Sequence, residues 1–591
     1  MYSDEGFEMY FKEVKRGGGE NDFGRKELAI VYLKIKILCN RFRFICLCSF
    51  ILLLPGYSVA QVIPPVVQPR PVAPVERPKI PKAKVPAVKV EPIGDEAPPG
   101  ATKIFIVLQD IVVEDATVYE NSYFRRFFQQ FIGKKITLAQ VFEISKQIQQ
   151  QYRADGYILS RVIVPAQSVD NGVFHLRVVE GFINSIKVEG DIGPVAQRVE
   201  SILQNIIQTK PVREDDLERY LLLANDLPGI QALGFLRSSV GEVGSSELVV
   251  NTERKAFDAY ALVNNRGSKF TGPFRFSMMV RENSATFLGE QLEGHFLNTL
   301  VSDEQHYGQL NYRQFLNNDG LKLSLGASYG PSKPRNGLEA IELETEILTV
   351  TGSLNYPFIR SRKQNLYLDM GFQAIDEQVD VFNLKLTRDR LRVFYAGFSY
   401  DLIDSWGESF LNLGVRQGVD AFGASEQGDL LLSRTEGVPD HTSINMTASR
   451  YQRIWEQFGL LLSGSGQYAF NTLLNAEEFK VGGEVFGRGY NPSELSGDSG
   501  LGLAAELQYT LSNPISHLQN LQGYSFYDFA SVWNRDFGVD RQQSLASAGF
   551  GVRNQLLNHL FVNLEVAWPL TRVPDTFNKD PRFFFQVLVR Y

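Results

Sequence analysis

Cysteine is nearly missing from this 591-residue chain: there are three, Cys39, Cys46 and Cys48. Beyond residue 48 neither a disulfide framework nor a cysteine metal site can form. Long apolar runs are also missing. The one strongly apolar stretch, 44–54, has eleven residues, and at about 1.5 Å each these cover only half of a hydrocarbon core roughly 30 Å thick. Helical membrane spans are therefore nearly excluded. There is no excess of positive charge, the net value being -7, which argues against a nucleic-acid partner because phosphate binding needs a basic face. Histidine is scarce. His175, His295, His306, His441, His517 and His559 show neither metal-ligand nor catalytic spacing, so no metal, no cofactor and no enzymatic activity are expected.

What is present is alternation. From about residue 257 to Tyr591, apolar residues alternate with small or polar ones in segments of about ten. Leu321, Leu323, Leu325, Ala327 and Tyr329 share one face of a strand, while Lys322, Ser324, Gly326 and Ser328 share the other. The pattern returns at Leu501, Leu503, Ala505, Leu507 and Tyr509. A soluble sandwich also alternates, but it rarely needs so long a run of strands. The reading is an all-β transmembrane barrel of 16 antiparallel strands, near Phe257, Phe274, Gln291, His306, Leu321, Glu346, Leu366, Leu391, Ser409, Thr442, Phe458, Leu501, Tyr524, Leu545, Leu560 and Phe583.

Ahead of the barrel the chain divides into four segments. Residues 1–60 read as an over-extended N-terminus followed by a secretory signal, with basic residues Lys34, Lys36, Arg41 and Arg43 before the apolar stretch and Ser58-Val59-Ala60 after it. Residues 61–100 carry eleven of the 26 prolines, which makes an extended linker because proline lacks the amide donor. Residues 101–181 and 182–255 read as two copies of one small α/β unit. In the first, a strand over 103–112 precedes a helix opened by the capping box Thr137 and Gln140. Leu138, Val141, Ile144, Ile148 and Tyr152 form its apolar face, and strands over 159–165 and 173–179 follow. In the second, strands over 183–189, 230–237 and 247–252 flank helices over 194–207 and 213–225. The barrel occupies 256–591, and within it 470–500 fits no strand and reads as one long inward loop.

That loop holds Gly487-Arg488-Gly489-Tyr490. Downstream lies Phe526-Tyr527-Asp528-Phe529-Ala530, in a strand where Phe526, Asp528 and Ala530 share one face. A carboxylate turned to lipid would cost about 2–4 kcal/mol or less, depending on depth, so Asp528 is assigned to the lumen, and Glu506 points inward by the same alternation. An arginine on the returning loop, held by Asp528 and Glu506, would make a charge-assisted contact inside a hydrated pore. Phe585, Val587, Val589 and Tyr591 line one face of the last strand, toward lipid.

These motifs resemble the outer-membrane transporters of bacterial two-partner secretion, of the filamentous-haemagglutinin and haemolysin type. The loop matches that family's Arg-Gly-Tyr/Phe signature with Gly487 in place of the usual valine. The second segment matches its Phe-x-Asp-x-Gly signature with Ala530 in place of glycine. Leu217-Glu218-Arg219 with the run from Leu221 to Gly229 is similar to the second of its POTRA domains, 174–190 to the junction between the two, and Asn264-Asn265-Arg266-Gly267-Ser268 with Thr271-Gly272 to its first barrel turn. The resemblance, spanning 101–591, implies two periplasmic POTRA domains and a 16-stranded barrel in the outer membrane. It also implies export of a large adhesin- or haemolysin-type exoprotein without nucleotide hydrolysis, the substrate being captured by strand addition at 230–237 or 159–165.

The terminal strand would be read by the outer-membrane assembly machinery. No amphipathic period runs through 61–99, which argues against the N-terminal plug helix of many members and leaves the 470–500 loop to close the pore alone. The alternative is an assembly factor that inserts other barrels, which usually carries more POTRA domains. Gly497-Asp498-Ser499-Gly500 looks like a serine-hydrolase nucleophile turn in isolation, but it sits at a loop-to-strand junction where glycine and serine are common.

Overall fold

The computed structural model describes residues 96–169, 171–239, 241–300, 304–511, 518–536, 541–556, 559–572 and 578–591. The expected signal, the linker up to residue 95 and the question of a plug helix lie outside the described residues.

The first α/β unit contains β1 (Phe105–Val107), β2 (Asp110–Glu114), α1 (Asn121–Phe128), β3 (Lys135–Thr137), α2 (Leu138–Ala154), β4 (Arg161–Ile163) and β5 (Val173–Val179). Its main sheet has the order β2-β5-β4, with β2 and β5 parallel and β4 antiparallel to β5. The capping box forms as expected: Gln140 N donates to Thr137 Oγ1 at 3.3 Å, and Thr137 N donates to Gln140 Oε1 at 2.7 Å. Val141, Ile144, Ile148 and Tyr152 pack into a core with Phe174, Leu176 and Val178. Burial, and then the neighbouring Glu180, push the Tyr152 phenol above its ordinary pKa.

Two expectations need correction here. The strand read over 103–112 is broken, because Leu108 turns fully into the core and the two halves pair differently, β1 with β3 and β2 with β5. The strand read over 159–165 shortens to β4, because the chain before it is folded into a turn in which Ser160 N donates to Tyr157 O.

The second unit repeats the plan with β6 (Phe182–Glu189), α3 (Ala196–Leu203), α4 (Glu214–Asn225), β7 (Ile230–Ser238) and β8 (Ser245–Arg254). Its sheet order is β6-β8-β7, again one parallel and one antiparallel pair. Ile202, Leu203, Leu217, Leu221 and Leu248 form the core. Glu214, Asp215 and Asp216 occupy the first turn of α4, where negative charge complements the helix dipole.

Sixteen strands then close a barrel. In chain order they are β9 (Phe257–Asn264), β10 (Arg275–Asn283), β11 (Gln291–Thr299), β12 (His306–Phe315), β13 (Lys322–Ser332), β14 (Glu344–Arg360), β15 (Gln364–Val381), β16 (Leu384–Ile403), β17 (Gly407–Gly418), β18 (Thr442–Arg453) and β19 (Phe458–Ala469). After an interruption come β22 (Ser499–Leu511), β23 (Leu518–Trp533), β24 (Gln542–Leu556), β25 (Leu560–Pro569) and β26 (Arg582–Arg590). Neighbours pair antiparallel throughout, and β26 closes on β9 from Gln586↔Asn264 to Arg590↔Tyr260. The alternation fixes the faces. Leu325, Tyr329, Leu503, Leu507, Tyr527, Phe583, Val589 and Tyr591 are exposed on the outside, whereas Glu506, Phe526, Asp528 and Ala530 are buried inside.

The second unit is fastened to one rim. Arg360 Nη2 and Nε donate to the two oxygens of Asp226 at 2.7 and 3.0 Å, and Arg362 Nη2 donates to Glu218 at 2.7 Å. Arg198 Nη2 donates to the carbonyls of Phe315 and Asn317. Burial opposes ionisation of Asp226, but Lys322 and Arg360 outweigh it and hold the carboxyl below its ordinary pKa.

Candidate functional site

The stretch between β19 and β22 starts from the rim opposite the soluble units, since β19 runs away from them. The expectation of a loop without strands is corrected: β20 (Phe479–Val481) and β21 (Leu495–Gly497) pair as a short ribbon, so the stretch is a hairpin. It folds against the barrel interior, where Val481, Tyr490 and Leu495 share a small core with Ala530, Val532 and Leu545. Ala530, which departs from the usual glycine, fills a place in that core.

At the hairpin tip the backbone is built around two glycines. Gly487 has φ +94°, a region that a β-branched residue avoids, which accounts for glycine where valine is usual. A Cβ on Gly489 would lie 2.8 Å from Pro569 N and 2.9 Å from Trp568 C, so only glycine lets the tip rest on β25. Between them projects Arg488, 4% exposed.

The guanidinium meets the residues that parity assigned to the lumen. Nε and Nη2 donate to Asp528 at 3.1 Å each, Nη1 donates to Glu506 at 2.8 Å, and the Arg488 backbone N donates to Asp528 at 3.0 Å. The Phe526 ring centroid lies 3.5 Å from Cζ, a cation–π contact that adds to the hydrogen bonds the guanidinium makes along its edges. The Tyr490 hydroxyl donates to Ala546 O at 3.1 Å and accepts from Arg572 N. The structure therefore brings together Arg488, Gly489, Tyr490, Phe526, Asp528 and Glu506. Phe585, Val587, Val589 and Tyr591 lie on the closing strand, apart from this group.

Several members of the cluster escaped sequence reasoning. Glu565 lies 3.6 Å from Arg488 and accepts from Arg266 Nη2 at 2.7 Å and from the Tyr524 hydroxyl at 2.9 Å. Arg553 pairs with Glu506. Ser547 Oγ donates to Asp528 at 3.2 Å. Arg582 on β26 donates to Gly489 O and to Asn491 Oδ1. Arg488, Arg266 and Arg553 thus interleave with Asp528, Glu506 and Glu565, and the six charges cancel. Parity would have found Glu565, which stands between the apolar Leu564 and Val566 and so has to point inward. Removing one partner of so buried a set leaves an uncompensated charge, a cost of about 3–5 kcal/mol.

The segment that resembles a nucleophile turn is bound differently. Asp498 accepts from Arg434, from Leu473 N and from Arg535 N. Ser499 Oγ accepts from Ala469 N.

Comparison with known proteins bears on family and fold. Residues 244–554 match the family model described as haemolysin secretion/activation protein ShlB/FhaC/HecB, and residues 106–181 match the POTRA domain, ShlB-type. The heme/hemopexin transporter protein HuxB of Haemophilus influenzae is 23% identical over 474 residues, 78% of this chain and 82% of the relative. The hemolysin transporter protein HpmB of Proteus mirabilis is 24% identical over 405 residues, 64% and 67% of the two chains. Among solved structures, CdiB from Escherichia coli superposes with a TM-score of 0.70 at 19% identity, covering 85% of this chain and 93% of that one. BamA from Haemophilus ducreyi lacking POTRA domains 1-3 reaches a TM-score of 0.50 at 13% identity, which shows the shared barrel fold alone. With the family model matched over more than half of this chain, which folds as a 16-stranded barrel, the chain belongs to the ShlB/FhaC/HecB family of haemolysin secretion/activation proteins, outer-membrane transporters that export a partner protein and hold their POTRA domains in the periplasm.

Proposed function

We propose that this transporter moves a large exoprotein of the adhesin or haemolysin type through its own lumen, and that the Arg488 clamp holds the pore shut until a substrate is engaged. The observation that carries this reading is the hairpin tip fastened inside the lumen by Arg488 to Asp528 and Glu506 on the barrel wall. A chain in transit needs the space the hairpin fills. The periplasmic step is capture of an extended segment by strand addition at β7. Among the described residues this strand pairs on one side only, with β8, and turns Leu233 and Phe235 outward. β4 is also an edge strand, but it has only three residues. Folding of the passenger outside the cell supplies direction, so the reading requires no nucleotide and no reaction catalysed by this chain. The closing strand β26, with Phe585, Val587, Val589 and Tyr591, serves earlier as the signal that the outer-membrane assembly machinery reads.

Replacing Arg488 by alanine tests the proposal. The expected result is a barrel that still assembles, an export rate reduced by about two orders of magnitude, and a raised ion conductance in planar bilayers. Wild-type export together with wild-type conductance would refute the role of the hairpin as the closure.

A further inference from the structure

A second arginine grips the same hairpin at its root. The loop of residues 419–441, between β17 and β18, leaves the extracellular rim, runs along the projecting part of β16 and then turns across the hairpin. Before Val393, over residues 384–392, β16 is not paired with β17, and the loop covers that edge. Val419 N donates to Arg392 O, Ser425 N to Arg390 O and Arg388 N to Leu431 O. Ser433 N donates to Asp389 Oδ1 at 2.9 Å. Leu432 is buried with Ile375, Leu391, Val393 and Leu474, the last being a residue of the hairpin's incoming leg. The strap is therefore laid down on the barrel wall first and on the hairpin second.

Arg434 makes the second connection, and it joins both legs. Nη1 and Nη2 donate to the two oxygens of Asp498 at 2.6 and 3.2 Å, on the outgoing leg. Nη1 also donates to Glu478 at 2.8 Å, on the incoming leg, and to Leu473 O at 2.9 Å. Nε donates to Asp536 at 2.9 Å, in the loop after β23. Arg434 is buried, and so are its three carboxylate partners, Asp498 completely. One cation thus offsets three carboxylates that come from three separate segments. Without it, those segments repel one another in a site that water does not screen. The 470–500 hairpin does not hold itself in place alone.

From this we infer that Arg434 is an outer lock. It is a positioning residue that pins the root of the hairpin under the 419–441 strap, so that the pore opens only when strap and hairpin separate. The inference rests on the reading of the hairpin as the closure. It adds that the extracellular strap is part of that closure.

The test is single-channel conductance of the full chain in planar bilayers, with heat-modifiable electrophoretic migration reporting barrel folding. Arg434→Ala is expected to raise open probability about tenfold, and Arg434→Lys, which keeps the charge but loses the fork, to restore part of the wild-type closure. Asp536→Asn removes one strand of the lock without altering the arginine and is expected to shift open probability in the same direction by a smaller factor. It decides the question alone if Arg434→Ala fails to assemble. Wild-type open probability in Asp536→Asn, and in any Arg434→Ala protein that folds, would overturn the lock. Arg488→Ala measured alongside separates the two ideas. A change there with none at Arg434 and Asp536 removes only the outer lock, whereas no change at any of the three removes the closure itself.

Discussion

The hairpin in the lumen is fastened at both ends by a buried arginine, and the two ends differ in how their charge is balanced. At the tip, Arg488 shares its carboxylates with Arg266 and Arg553, so three cations meet three anions. At the root, Arg434 meets Glu478, Asp498 and Asp536 at once. At the tip Glu506 and Glu565 each touch a second arginine besides Arg488, whereas at the root all three carboxylates converge on Arg434. The tip is also read from rigid strands, with Asp528 and Glu506 on β23 and β22. The root is assembled from loops. By this comparison the tip sets where the hairpin sits, and the root sets how readily it leaves.

Within the tip, the largest effect after Arg488 itself is expected at Asp528. It accepts from Nε, from Nη2, from the Arg488 backbone and from Ser547. Asp528→Asn points amide hydrogens at a guanidinium and should destabilise the hairpin by about 2–4 kcal/mol. Glu506→Gln keeps an oxygen toward Arg488 and leaves Asp528 and Glu565 in place but turns its amide toward Arg553, so a cost of about 1–3 kcal/mol, the lower of the two, follows. Export rate and accessibility of the hairpin to protease, compared between the two variants, check the ranking. Equal effects would mean that the tip behaves as a single unit and not as a shared network.

A third arginine–carboxylate pair lies outside the lumen and extends the comparison to the soluble domains. Arg360 and Lys322 hold Asp226 where the second POTRA domain meets the barrel. Asp226→Asn is expected to loosen this junction and to raise trypsin cleavage at Lys255 roughly tenfold, with a smaller loss of export than at the tip. Because the folded-state pKa of Asp226 lies below the ordinary value, its contribution is complete above about pH 3.9 and is lost only as pH falls through the lower folded value. Cleavage of the wild type should therefore be unchanged between neutral pH and about pH 5.

The difference between tip and root also explains what the sequence reveals. Strand parity needs only a period of two, and it placed Asp528 and Glu506 inside before any contact was known. All sixteen barrel strands lie near their expected positions for the same reason. The short strands were harder to read. Leu108 interrupts an apolar run that looks continuous, because pairing with two different partners is a tertiary choice, and β20 and β21 are three residues each, too short to alternate. Arg434, Glu478, Asp498 and Asp536 lie in segments without period, so no spacing announces that they meet. Asp498 even sits within a glycine-serine turn whose local look suggests something else.

The smallest effect is expected where the same chemistry stands in water. Arg450 donates to Asp404 at 2.7 and 3.1 Å in a periplasmic turn, with side chains 26% and 36% exposed. The Arg450 hydrogen bond first, and then the backbone amides of Trp406 and Gly407, hold the Asp404 carboxyl down to about 2. Its contribution is thus complete above about pH 3.9 and disappears as pH falls through about 2, so nothing at this pair changes between pH 8 and 5. Asp404→Asn is expected to leave export and conductance at wild-type levels, since solvent and salt already screen the pair and no segment of the lumen depends on it. The variant is therefore the control for burial. If it raised conductance as Arg434→Ala is expected to, loss of any arginine–carboxylate contact would suffice to perturb the pore, and the distinction between a balanced tip and a single-cation root would have no physical basis.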